Sequence, residues 1–183
     1  MGFKWWVVIA VILFGLGLWL GITPPQGEAG PLSVEVTALE QMADLLASLP
    51  PPVLLMVIFI KNASAVLISL ALSPLFGVVP VLALIFNGWL LGFVAVSLVS
   101  QKSLGFVLAG ILPHGLIELP AFVIGEAVAL SFGAAVIAGL FNKQKRGLIG
   151  PNLRHNAKYL AISILLFLPA AAIETYVTPL LLR

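Results

Sequence analysis

The stretch LGFVLAGILPHGLIELPAFVIGEAVALSFGAAVIAGLF, residues 104–141, decides the fold, because it is a long apolar run that carries only three ionisable side chains. As one α-helix it would be about 57 Å long at 1.5 Å per residue, whereas the hydrocarbon core of a bilayer is about 30 Å thick. Gly110, Pro113 and Gly115 favour a break near residues 110–115. The sequence therefore predicts a short half-helix that enters the membrane, followed by a long tilted helix.

The composition of the whole chain is that of an integral membrane protein. Hydrophobic residues make up 61% and charged residues 9%, against about 45–50% and about 25% in soluble domains. The 183 residues leave room for about five spans of roughly 20 residues. We therefore expect residues 1–183 to form a single all-α transmembrane bundle with no separate soluble domain. Cysteine is absent, which excludes disulfides and thiolate metal sites.

The apolar runs predict five transmembrane spans separated by two longer loops. The first span is expected to be a retained anchor rather than a cleaved signal peptide, since its apolar core is long and no small-residue cleavage site follows. The spans are expected at about 5–22, 53–72, 79–99, 104–141 and 159–181, with an outer loop at 23–51 and a basic inner loop at 142–158.

The loop at 23–51 also predicts a short amphipathic helix. Thr37 and Glu40 have the spacing of a capping box that begins a helix. An apolar stripe follows at helical spacing, formed by Leu39, Met42, Leu46 and Leu49. Such a stripe can cover the bundle or pair with a second copy. Together with the small-residue face of the long helix, at Gly125, Gly133 and Gly139, it predicts a homodimer.

The charges of the two loops predict the orientation of the chain in the cell membrane. Lys and Arg are concentrated in cytoplasmic loops, so the basic loop is expected inside, with the amino terminus inside and the carboxyl terminus outside. We prefer this interpretation to a nucleic-acid patch, and nucleic acid is not an expected partner. The acidic loop contains Glu28, Glu35, Glu40 and Asp44, and the basic loop contains Lys143, Lys145, Arg146, Arg154 and Lys158.

Ionisable side chains at membrane depth are the candidate functional residues. Each costs about 2.5 to 3.5 kcal/mol on insertion scales, so such groups normally face the bundle interior and mark a site or pathway. His114 and Glu118 are four residues apart and share one helical face. Glu174, in the last span, is predicted to lie at a similar depth in the outer half of the bilayer. A predicted polar network comprises Lys61, Asn62, Asn87 and Glu126.

Three interpretations of these residues remain open from sequence. In the first, His114, Glu118 and Glu174 coordinate a divalent cation, with zinc the first choice, and three protein ligands leave an open position for water. In the second, the polar groups only lock the bundle: Lys61 pairs with a carboxylate, asparagines bridge neighbouring helices, and the imidazole donates to a carboxylate. In the third, they form a proton or ion pathway.

Four short motifs follow one another along the chain. They are Asn62, Asn87-Gly88 with Leu91-Gly92, His114-Gly115 with Glu118-Leu119-Pro120-Ala121, and Glu174 with Thr178-Pro179. In this order they resemble the stage II sporulation protein M family. The resemblance covers nearly the whole chain from the second span onward and implies a five-span membrane protein. In sporulating bacteria such a protein helps to assemble a peptidoglycan-degrading complex, in which partner proteins perform the cleavage.

Two functions follow as expectations. The first is a non-enzymatic membrane scaffold that recruits membrane or cell-envelope proteins at its outer face, since the chain has little mass outside the bundle. The alternative is a metal-dependent membrane hydrolase, or a metal-binding transporter, that uses His114, Glu118 and Glu174.

Overall fold

The protein is an all-α membrane bundle. A computed structural model describes residues 1–23, 45–46 and 48–182. Five helices in this part of the chain are long and apolar enough to cross a membrane, as predicted. The helices are α1 (Phe3–Ile22), α2 (Pro51–Leu72), α3 (Val78–Gln101), α4 (Leu104–Phe141), a 3₁₀ helix (Lys143–Leu148), α5 (Ile149–Tyr176) and α6 (Thr178–Leu181). The four acidic residues of the predicted outer loop lie outside the described ranges. Most residues of the predicted amphipathic helix lie outside them too.

The central element is α4, and the break predicted near residues 110–115 is wrong. The segment is one α-helix from Leu104 to Phe141, with Pro113 and Pro120 inside it. The helix packs against α1, α2, α3 and α5 and is the most buried of the five spans. Proline is tolerated in such a position because neighbouring helices and local adjustments can satisfy the freed backbone group. A break would instead leave several backbone groups unpaired in an apolar environment.

The last span also differs from its predicted bounds. Helix α5 begins at Ile149, so the predicted inner loop at 142–158 is reduced to Asn142 and the 3₁₀ helix. Pro151 lies in the first turn of α5, where the missing N–H has no intrahelical partner to lose. Asn152 and Asn156 donate to the Ser131 hydroxyl at 3.2 and 3.1 Å, which attaches this part of α5 to α4. The carboxyl-terminal end of this span is interrupted once, at Val177, before α6.

The glycines of α4 that were predicted to allow close approach lie in contacts with other helices of the same chain. A Cβ at Gly125 would collide with Val66 of α2 and Ser163 of α5, and one at Gly133 would collide with the Ser73 backbone. Small residues permit such close helix contacts in membranes. One of the two observations behind the homodimer prediction is therefore explained within a single chain.

A second glycine contact, between α1 and α3, was not predicted. A Cβ added at Gly17 or Gly21 of α1 would collide with α3 backbone carbonyls, and one added at Gly88 or Gly92 of α3 would collide with those of α1. The two helices thus approach backbone to backbone, with glycine on both sides. The contact fixes the position of α3, whose neighbouring face, with Asn87 and Leu91, lines a cavity beside His114 and Glu118.

Candidate metal centre

His114, Glu118 and Glu174 converge in the structure. His114 and Glu118 lie one turn apart on α4, and Glu174 lies in the last turn of α5. One ligand atom from each side chain lies within 4.8 Å of the others, and all three side chains are half-buried. The convergence expected from spacing and depth is present, and it depends on the packing of α5 along α4.

The spacing of these atoms suits a single bound ion after small side-chain movements. Two ligand atoms about 2.1 Å from a tetrahedral zinc are about 3.4 Å apart. Both glutamates have rotatable side chains, so modest rotations bring the set onto one ion. Imidazole and carboxylate are ligands for zinc and other first-row divalent metals, and three protein ligands leave a fourth position open.

Thr178 orients the imidazole, a role that sequence reasoning missed. The Nδ1 atom of His114 lies 3.4 Å from the Thr178 Oγ1, which donates to the Ile173 carbonyl at 3.4 Å. With the hydroxyl hydrogen assigned to that carbonyl, the hydroxyl accepts from Nδ1–H of the imidazole. The lone pair of Nε2 is then available to a metal, the arrangement that supports histidine ligands in metal sites. The sequence signal that could have indicated this role is the spacing of four residues between Glu174 and Thr178.

A cavity of about 240 Å³ adjoins two of the three side chains, His114 and Glu118. Its lining comes from α1, α2, α3 and α4 and includes His114 and Glu118, together with three of the four residues of the predicted polar network: Lys61, Asn62 and Asn87. Electrostatic interactions link Glu174 to His114, Glu118 and Lys61. Residues distant in sequence thus share one site.

The two asparagines do not bridge helices as the bundle-locking interpretation expected. The Asn87 amide donates to the Ala83 carbonyl of its own helix at 2.8 Å. Asn62 is only 6% exposed, and its amide nitrogen has no hydrogen-bond partner in the described structure. Most buried polar groups are hydrogen-bonded, so this donor is an exception among the described residues.

Glu126, the fourth residue of the predicted network, lies apart from the cavity. It is completely buried and accepts a hydrogen bond from the Ser69 hydroxyl of α2. Its second carboxyl oxygen has no partner among the described residues. Glu126 therefore belongs to a separate contact between α2 and α4. Its position along α4 did not reveal from sequence that it lies apart from the cavity.

These features define a multi-pass helical membrane protein with a cluster of one histidine and two carboxylates inside its bundle. The chain belongs to the stage II sporulation protein M family, which it matches over residues 6–179. It is also 32% identical over 123 residues to an uncharacterized protein of Methanocaldococcus jannaschii, an alignment that covers 67% of this chain and 69% of that protein. No solved structure matches the chain.

Proposed function

We propose that the protein binds a divalent cation, with zinc the first choice, through His114, Glu118 and Glu174. The observation that carries the proposal is the convergence of three ligand atoms from two helices within 4.8 Å. Binding would offset the cost of two carboxylates placed in the bundle, because a bound cation compensates their charge. The hydrogen bond from His114 to Thr178 supports the same role, since it leaves the second ring nitrogen free.

The chemistry of such a centre is hydrolytic. A divalent metal with an open position lowers the pKa of a bound water and polarises a carbonyl or phosphoryl oxygen. The adjoining cavity provides space for the group that reacts. A transporter remains the second use of the same ligands, but Glu126, the next ionisable side chain along α4, does not line the cavity. This separation favours a fixed centre over a relay of ionisable groups.

Metal analysis of the full chain, purified without chelator, tests the proposal. We expect about one metal ion per chain, and we expect His114→Ala, Glu118→Gln and Glu174→Gln each to release it. Acidification should also release it, because a ligating histidine must be neutral. His155→Ala is the matched control, since His155 is exposed on α5 and should retain the metal. Absence of stoichiometric metal, or its retention in His114→Ala, would refute the centre.

We propose, as a second function, a scaffold that recruits membrane or cell-envelope proteins at the outer face. Family membership and the small mass outside the bundle support it. It requires the segment around Glu40 to lie outside, together with the carboxyl terminus, while Lys4 and Lys145 lie inside. The excess of Lys and Arg in the 142–158 segment supports this orientation.

Single cysteines test the orientation and the scaffold together, because the chain has none of its own. Glu40→Cys should react with a membrane-impermeant maleimide in intact cells, whereas Lys145→Cys should react only after lysis. Cross-linking from Glu40→Cys should then yield a discrete product, either a homodimer or a complex with an envelope protein. Labelling of Lys145→Cys from outside reverses the orientation, and a monomer that never cross-links argues against both the scaffold and the dimer.

A further inference from the structure

The cavity beside the candidate metal centre has both polar and apolar side chains in its lining. Lys61, Asn62 and Asn87 lie among its lining residues, whereas Leu90 and Val94 of α3 contribute apolar surface. Lys61 is exposed on the side of the bundle and also lines the cavity, so it lies at the rim. The cavity therefore opens laterally, toward the surface that faces lipid in a bilayer.

Two asparagines are among the residues that line this space. The buried Asn62 amide nitrogen has no acceptor in the described structure, and a buried donor without an acceptor is unfavourable. An amide NH₂ has two N–H groups, and the Asn87 bond to Ala83 uses one of them. The Asn62 nitrogen is shielded from the cavity, which leaves Asn87, of the two amides, to donate to an occupant that carries an acceptor.

The charge of the loaded site also selects an acceptor that is an anion. Glu118 and Glu174 together cancel the charge of a divalent cation. The ammonium of Lys61, which interacts electrostatically with Glu174, then leaves an excess of positive charge. Because a site built from a cation, an ammonium group and an amide donor favours negative charge, a neutral sugar or a cationic group is a poor occupant.

The size of the cavity limits the occupant further. A volume of about 240 Å³ corresponds to about eight water molecules at about 30 Å³ each. It is below the range of about 300–1,000 Å³ typical of sites for drug-sized molecules. A phosphate group fits this space, whereas a glycan strand or a folded peptide segment does not.

We propose that the cavity binds a phosphate group, with its oxygens on the metal and the Lys61 ammonium. The proposal rests on the proposed metal centre, and it assigns that centre an anionic phosphate ligand. The phosphate can come from a membrane lipid that enters laterally or from free phosphate that enters from the outer side. The lateral opening at Lys61 leads us to expect that lipid phosphate binds more tightly.

Titration calorimetry on the full chain, loaded with zinc in detergent, tests the proposal with three probes. These are inorganic phosphate, dihexanoyl phosphatidic acid and, as the neutral control, dihexanoylglycerol. We expect dihexanoyl phosphatidic acid to bind at least tenfold more tightly than dihexanoylglycerol. Equal or tighter binding of inorganic phosphate would support the phosphate site and assign it to free phosphate. Failure of both phosphates to bind, or equal binding of dihexanoylglycerol, overturns the proposal.

Variants of the rim lysine separate this proposal from the metal centre. Lys61→Met should weaken phosphate binding at least tenfold without changing the metal content, and Lys61→Arg should restore most of it. Lys102→Met, at an exposed lysine outside the cavity, should bind phosphate as the unmodified chain does. If Lys61→Met retains full phosphate affinity, the phosphate site is refuted while the metal centre stands. If the protein takes up no metal when zinc is supplied but binds phosphate in a Lys61-dependent way, the metal centre is refuted and the anion site stands.

Discussion

Helix α3 has two neighbouring faces that are built in opposite ways. Toward α1, Gly88 and Gly92 bring the backbones into direct contact, with Gly17 on the opposing helix. On the adjoining face, Asn87 and Leu91 border a cavity of about 240 Å³. The first face contains no room for a methyl group, whereas the second leaves space for several water molecules. The comparison shows how a membrane bundle can hold a polar cavity open: tight apolar contacts elsewhere fix the positions of its walls.

The glycine contact should be the more sensitive of the two faces to added bulk. Gly17→Leu places a large side chain against the α3 backbone, and overpacking of a close contact costs about 1–3 kcal/mol or more. Its expected result is a large loss of thermal stability in detergent, with aggregation on size-exclusion chromatography. Gly15→Leu is the matched control two residues away, because a Cβ there meets nothing within 4 Å. Equal stability of the two variants would contradict the close approach of α1 and α3.

The buried pair of Glu126 and Ser69 offers a comparison between polar groups that support packing and those that line the cavity. Ser69→Ala removes the hydrogen-bond partner of the completely buried carboxyl group and should destabilise the protein by about 1–3 kcal/mol. Replacing both partners by apolar groups, as in Ser69→Ala with Glu126→Met, should recover much of that loss. The change in thermal stability measures both effects, and metal content should stay constant throughout. Loss of metal in Ser69→Ala would mean that Glu126 and the centre are coupled.

The smallest expected effect on the fold, with a specific effect on the site, comes from Thr178. Thr178→Val removes the acceptor for the imidazole N–H while it keeps the shape of the side chain. Loss of such a supporting partner typically lowers metal affinity by about 10–100-fold. Competition with a chromophoric chelator measures the change, and Thr178→Ser, which keeps the hydroxyl, should bind nearly as tightly as the unmodified chain. If the Thr178→Val and Thr178→Ser variants bind metal with equal affinity, Thr178 does not orient His114.

Much of the fold and the membership of the candidate centre could be predicted from the chain itself. Apolar runs of sufficient length predict spans because lipid offers backbone groups no hydrogen-bond partners. The pair His114 and Glu118 shares a face because helical periodicity requires it, and Glu174 was assigned to the same depth by counting residues. The three side chains do converge.

Other features could not be predicted, because they depend on which surfaces meet. Whether Pro113 breaks α4 depends on the helices that surround it, and in the bundle α4 remains continuous. Glu126 and Lys61 have the same sequence signature, an ionisable residue in an apolar run, yet one is bonded to Ser69 and the other lies at the cavity rim. Local pattern does not distinguish these environments.

The sequence by itself determined that this is a five-span helical membrane protein of the stage II sporulation protein M type, since hydropathy and motif order are local properties of the chain. Tertiary structure alone decided that α1 and α3 meet through glycines, that α4 is unbroken, and that the Asn62 amide nitrogen is buried without an acceptor among the described residues. The physical reason is that close packing and hydrogen-bond satisfaction are properties of pairs of surfaces, and those pairs exist only after the helices have assembled.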